Sequence, residues 1–98
     1  MATGTIKNQF TGTWTSVNTN LKYQVRSGVV FVWAQAVSAH SDWATVGTLP
    51  SNIAPNYMFY NTSRLNGTAV SNYRIETDGT VSHSGDATSS TIMSYPLP

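Results

Sequence analysis

The 98-residue sequence contains no cysteine and very little charge. The lack of cysteine excludes disulfide bonds, thiolate nucleophiles and cysteine-based zinc sites. Five Lys and Arg residues stand against four Asp and Glu, for a formal net charge of +1 and a charged fraction of 9%. An ordinary soluble domain has about 25% charged residues. The polar surface must therefore be built mainly from Ser, Thr and Asn.

The few cationic residues are also scattered, at Lys7, Lys22, Arg26, Arg64 and Arg74. Nucleic-acid binding needs clustered Lys and Arg to neutralise phosphates, so we do not expect DNA or RNA as a partner. No segment approaches the roughly 20 apolar residues of a membrane-spanning helix, so we expect no membrane insertion. The polar start, residues 1–9, lacks the apolar stretch of a secretory signal.

A helical stripe is absent as well, and the periodicity is that of strands. Leu21, Tyr23 and Val25 alternate with polar residues, which predicts a strand with one dry and one wet face. Ser27-Gly28 and Asp78-Gly79 are typical of hairpin turns. Seven to eight short strands separated by turns predict one all-β domain, an antiparallel β-sandwich or a small barrel. Residues 61–67 and 84–90 are expected to be loops.

The run from Val29 to Val37 is apolar on both faces of the predicted strand. Simple alternation places Val29, Phe31, Trp33 and Val37 on one face and Val30, Val32, Ala34 and Ala36 on the other. Such a strand should be covered on both sides, and a second subunit is the natural outer cover. Most strand aromatics are expected in the core, namely Trp14, Tyr23, Phe31, Trp33 and Tyr73.

The sequence offers little for catalysis. Of the four acids only Glu76 and Asp78 are neighbours, and they flank a turn in which Asp78 has a conformational role. His40 and His83 could join acids around a metal or an activated serine, but no nucleophile-elbow, zinc or phosphate-binding motif accompanies them. We therefore expect exposed loop histidines, no catalytic residue, no metal, no cofactor and no enzyme. An axial ion held by three copies of His83 is the remaining metal hypothesis.

A saccharide-binding surface is the better hypothesis for the polar loops. Trp43 follows His40 and Asp42, and Tyr60 and Arg64 border a second polar stretch. Sugars present C–H faces and hydroxyls together, which aromatic rings beside hydrogen-bonding groups can recognise. These five residues are the predicted ligand-binding site, with ordinary packing of the two rings as the alternative.

Three segments in order carry a family resemblance: LKYQVRSGVVFV from Leu21, GTLP from Gly47, and YRIETDGTV from Tyr73. They resemble the C-terminal β-domains of tailed-phage tail-fibre, baseplate and receptor-binding proteins, over residues 14–95. Residues 51–55 depart from that pattern, because they lack the glycine-aromatic-basic lead into the second proline. The family has no invariant ligand-binding residues to carry over to this chain.

The resemblance implies a homotrimeric β-sandwich at the tip of a virion fibre that contacts host surface polysaccharide. Residues 1–12 would then be an arm or linker from a fibre stalk, joining other virion proteins, and residues 13–98 a single head domain. The protein would be made in the host cytoplasm and act outside the cell as part of the virion. The alternative is a purely structural module, for baseplate assembly, capsid decoration or fibre trimerisation, with no ligand.

Overall fold

The computed structural model describes residues 13–66 and 69–98, with the side chains of residues 63–69 left out. The expected N-terminal arm, residues 1–12, lies outside this part. The elements in chain order are β1 Thr15–Asn18, β2 Leu21–Arg26, β3 Val29–Val37, β4 His40–Thr48, the 3₁₀ turn Ser51–Ile53, β5 Phe59–Asn66, β6 Ala69–Ile75, β7 Thr80–Gly85 and β8 Ser89–Pro96. No helix in these ranges is long and apolar enough to cross a membrane.

The strands form two antiparallel four-stranded sheets, which confirms the all-β sandwich. Sheet A has the order β1-β2-β3-β8 and sheet B the order β4-β7-β6-β5. Their facing sides enclose a single cluster of buried residues, because alternate residues of each strand point inward. The fully buried members, at 0–2% exposure, are Leu21, Val30, Val32, Ala34, Leu49, Tyr73, Ile75, Val81 and Met93.

Both expected hairpin turns are present. Ser27 and Gly28 have φ of 52° and 77°, as a two-residue turn with positive φ at both positions requires. At the second turn Asp78 Oδ1 accepts a 2.9 Å hydrogen bond from the Thr80 amide, and Gly79 has φ of 94°. A Cβ at Gly79 would collide with the Leu49 carbonyl oxygen. The conformational role predicted for Asp78 therefore agrees with its contacts.

The end of β3 departs from simple alternation. The pairing with β8 shifts between Ala34 and Val37, and Ala36 has φ of 51°. This bulge turns Val37 into the core and leaves Ala36 exposed, so the predicted faces of these two residues were exchanged. Val30, Val32 and Ala34 are fully buried as an inward set, whereas Val29, Phe31 and Trp33 are half-buried on the outer face of sheet A.

The expectation that strand aromatics fill the core holds for Tyr73 alone among the five. Trp14 and Trp33 meet edge to face on the outer side of sheet A, with ring centroids 5.5 Å apart. Tyr23 is half-buried at the border of the core. Strand β2 also differs from expectation, since Val25 is 42% exposed and Gln24 is buried. Gln24 pairs with Phe31, so the outer aromatics cover it.

Two predicted loops are mostly strand. Residues 61–66 continue β5, and the loop expected at 84–90 shrinks because β7 runs to Gly85 and β8 begins at Ser89. Both segments are rich in Ser, Thr and Asn, which form strands readily when cross-strand partners are available. The hydrogen-bonded strands therefore extend beyond the segments in which hydrophobic and polar residues alternate.

Candidate functional site

Three side chains from three strands meet on the outer face of sheet B. The Arg74 guanidinium carbon lies 4.5 Å from the centroid of the Trp43 ring, a cation–π contact. Tyr60 approaches the same indole edge to face, with centroids 6.5 Å apart. Trp43 and Tyr60 remain 39% and 61% exposed. We call Trp43, Tyr60 and Arg74 the aromatic platform.

The register of sheet B explains how these residues come together. Tyr60 pairs with Arg74, and Arg74 pairs with Ser82 on β7, the strand next to β4. The Trp43 side chain must therefore cross β7 to reach Arg74. Ser82 points outward in this row yet is only 4% exposed, because the larger side chains lie over it. A small residue at this position leaves room above β7 for the indole to reach Arg74.

Polar groups surround the platform. The Glu76 carboxylate lies 3.8 Å from Arg74 Nε, a partly exposed ion pair. Two residue pairs further along β5 and β6, on the same face, Thr62 donates a 3.0 Å hydrogen bond to Asn72. In the described part, the outer face thus combines an indole, a phenol, a guanidinium paired with a carboxylate, and neutral hydrogen-bonding side chains.

The predicted site residues are partly united. Trp43 and Tyr60, distant in sequence, are brought into contact, while His40 and Asp42 are exposed on β4 in the same stretch as Trp43. The side chain of Arg64 lies outside the described part. Arg74 was not among the predicted site residues, although it alternates along β6 with the inward-facing Tyr73 and Ile75. The missing signal was the strand order, which puts Arg74 between Trp43 and Tyr60.

His83 is the clearest correction, since it is fully buried and not an exposed loop histidine. Its Nε2 lies 2.9 Å from Ser71 Oγ, which lies 2.7 Å from Ser89 Oγ. Tyr73 Oη completes the network at 2.8 Å from the Ser89 hydroxyl. Burial lowers the pKa of His83, His40 lowers it further, and the Ser38 backbone acts in the opposite direction.

The Ser71–His83 pair does not have the arrangement of a hydrolase. Among the described residues, no carboxylate accepts a hydrogen bond from Nδ1 of His83, where a triad would place one. Ser71 is 1% exposed, so substrate has no access to its hydroxyl. Within the described residues, no group of three or more His, Asp or Glu could hold a metal ion.

The two-sheet architecture has a counterpart among solved structures. The chain is similar in fold to a phage receptor-binding head domain. That structure is described as the head domain of phage bIL170, in a study of a common fold for the receptor-binding domains of lactococcal phages. The TM-score is 0.59 at 20% identity, over 88% of this chain and 98% of the other. No family model and no curated protein sequence matches the chain.

Proposed function

We propose that this protein is a phage receptor-binding head domain that attaches the virion to host surface polysaccharide through the aromatic platform. The carrying observation is the contact of Trp43, Arg74 and Tyr60 on an open face of sheet B. The fold similarity to the bIL170 head domain supports the attachment role. The sequence resemblance to fibre and receptor-binding domains points the same way.

The chemistry of the platform suits a saccharide. A pyranose ring can stack its C–H face on the exposed indole, while Arg74 and the Tyr60 hydroxyl lie beside it as hydrogen-bonding groups. The guanidinium already lies against the Trp43 ring before ligand arrives, which reduces the entropy lost on binding. Asp42, next to Trp43 on β4, is a proposed member of the site from its sequence position. His40 is proposed on the same ground, although it lines a separate cavity with His83 and Ala44. Arg64 remains a proposed member from its sequence position.

Three copies would associate through the outer face of sheet A. Val29, Phe31 and Trp33 are half-buried there, and Ile92 beside Trp33 is 48% exposed. A second copy is the proposed cover, since a domain of 98 residues gains stability by association. Attachment would then rest on multivalency, because three weak sites on one particle raise the effective affinity.

Replacement of Trp43 by alanine tests the platform. We expect Trp43→Ala to reduce retention on immobilised host cell-wall polysaccharide at least tenfold, since the stacking surface is lost. The side chain is only partly buried, so the thermal midpoint should change little. The measurement is a pull-down of the full chain at matched concentrations, followed by a glycan array for the saccharide class.

Two control variants sharpen this test. Val25→Ala removes an apolar side chain of similar exposure, 42%, from the other sheet and should bind normally. Arg74→Lys keeps the charge but loses the planar fork, and should weaken binding less than Arg74→Ala. If the intact protein retains no saccharide at all, the domain is the purely structural virion module considered above.

A further inference from the structure

A second concave surface opens where an edge of sheet B meets an edge of sheet A. It lies beside the contact of Phe59 on β5 with Tyr95 on β8, whose ring centroids are 5.9 Å apart. Residues 55–60 and 94–98 line it, and it encloses about 420 Å³. Small-molecule sites typically measure about 300–1,000 Å³. We call this surface the edge groove.

The lining of the edge groove has a distinctive chemistry. Among the side chains that the structure describes, none of those lining it belongs to Lys, Arg, His, Asp or Glu. Tyr57 is 72% exposed and Tyr60 61%, and both present a flat ring with a hydroxyl. Met58 and Leu97 add partly exposed apolar surface at 42% and 38%. Rings and neutral hydroxyls suit an uncharged sugar, whereas a phosphate or carboxylate would find no opposite charge.

The floor of the groove is held in place by several contacts. Tyr95 donates a hydrogen bond to the Ile53 carbonyl, which ties β8 to the 3₁₀ turn. Burial raises the pKa of Tyr95 to about 12, so this donor keeps its proton at physiological pH. The Leu97 amide donates a 2.8 Å hydrogen bond to the Gly28 carbonyl. Because the floor is fixed, a ligand would lose little free energy in ordering it.

Tyr60 connects the edge groove to the aromatic platform. Its ring meets that of Trp43 edge to face, and Tyr60 is also one of the residues that line the groove. The two surfaces therefore share one side chain and form a continuous path around β5, the edge strand of sheet B. A linear oligosaccharide stacked on Trp43 would reach the groove by passing this single ring.

We propose that the edge groove is a second saccharide subsite, selective for an uncharged sugar, and that it binds the units that follow those on the platform. This inference rests on the proposed function, because it extends the same ligand. It adds that recognition requires an oligosaccharide longer than the platform alone can cover. Tyr57, the most exposed ring of the groove, supplies its stacking surface.

The test compares short and long ligands on single variants of the full chain. The probes are glucose and N-acetylglucosamine oligosaccharides, from disaccharide to hexasaccharide, titrated by calorimetry. For the probe series that binds, we expect affinity to rise with length. Tyr57→Ala should bind the hexasaccharide with about tenfold lower affinity and the disaccharide with unchanged affinity. Trp43→Ala should lose affinity at every length.

The outcomes separate the two proposals. Tyr57→Phe keeps the ring and should restore most of the hexasaccharide affinity. If Trp43→Ala weakens binding while Tyr57→Ala has no effect at any length, the groove proposal is overturned and the platform stands. If wild-type protein binds neither series nor host polysaccharide, both fail. If Tyr57→Ala instead lowers the molar mass in solution, the groove is a contact between copies and the subsite proposal is wrong.

Discussion

The titratable side chain of His83 is buried between the two sheets and belongs to a hydrogen-bonded network that has a structural role. The network of His83, Ser71, Ser89 and Tyr73 links β6 and β7 of sheet B to the start of β8 in sheet A. Such networks stabilise a fold only while their members stay paired and neutral. Protonation of His83 would place a charge in the core without a counter-ion.

This arrangement predicts that stability falls on mild acidification. The pKa of His83 is lowered from its ordinary value of 6.5 in the folded state, chiefly by burial. Below pH 6.5 the unfolded chain therefore takes up the proton first, and stability declines until the folded pKa is reached. We expect the urea midpoint to be lower at pH 5.0 than at pH 7.5.

Two variants assign the effect. His83→Gln should flatten the pH dependence whatever its absolute stability, while His40→Gln should retain it. The pKa of Asp78 is also lowered from its ordinary 3.8, by hydrogen bonds from Thr80, but its contribution is lost only at more acidic pH. An unchanged slope in His83→Gln would show that another group carries the titration.

At the scale of single elements, β3 shows why alternation predicts most of a strand and misses its end. The run of valines with Phe31 and Trp33 identified the strand and its inward set correctly. The bulge at Ala36 depends on partners distant in sequence. Ser90 Oγ accepts a hydrogen bond from the Ala36 amide, and the Asn20 side chain donates one to the Gln35 carbonyl. No pattern within the strand itself encodes these contacts.

The bulge predicts a stabilising substitution. Ala36 has φ of 51°, a conformation that costs an L-residue about 1–2 kcal/mol and glycine almost nothing. Glycine also adds entropy to the unfolded chain, which offsets part of this gain. Ala36→Gly should therefore raise the free energy of unfolding by about 0.5–1 kcal/mol. Chemical denaturation measures the change.

The matched control lies two residues earlier on the same strand. Ala34 is fully buried in the core, so Ala34→Gly should destabilise the domain through lost packing and added chain entropy. Equal losses in both variants would mean that Ala36 is not strained in solution.

At the scale of the whole molecule, strand order is what the sequence could not supply. Periodicity and turns predicted an antiparallel sandwich or a small barrel with seven or eight strands. The polar residues beside Trp43 and Tyr60 predicted these two as site residues. The sequence could not predict that β7 and β6 lie between β4 and β5. This strand order is what brings Arg74 to the Trp43 ring. Pairing between distant strands depends on packing of the complete core, and local residue patterns do not encode it.

The proposed trimer gives a prediction at this scale. Ile92→Glu places a charge on the outer face of sheet A at a residue that is 48% exposed, so the single chain should still fold. By light scattering, we expect a molar mass of about three times 10.6 kDa for the wild-type protein and the monomer mass for the variant. Loss of multivalency should weaken polysaccharide binding by about 10²–10⁴-fold.

Val25→Glu is the control for this experiment, because Val25 is 42% exposed on the same sheet but lies outside that face. It should leave both mass and binding unchanged. A wild-type protein that is monomeric at all concentrations would contradict the trimer and leave the apolar outer face without its proposed cover.

Two of the platform side chains, those of Arg74 and Tyr60, are next in sequence to residues that face the interior. Arg74 lies between Tyr73 and Ile75, both almost fully enclosed, and Tyr60 follows inward-facing Phe59. Neighbouring residues are therefore under different constraints: one must pack in the core, and the next is free to contact a ligand at the surface. Under the proposed function, a phage whose host changes its surface polysaccharide can substitute contact residues singly. The core residues stay the same, so the host range changes while the fold is kept.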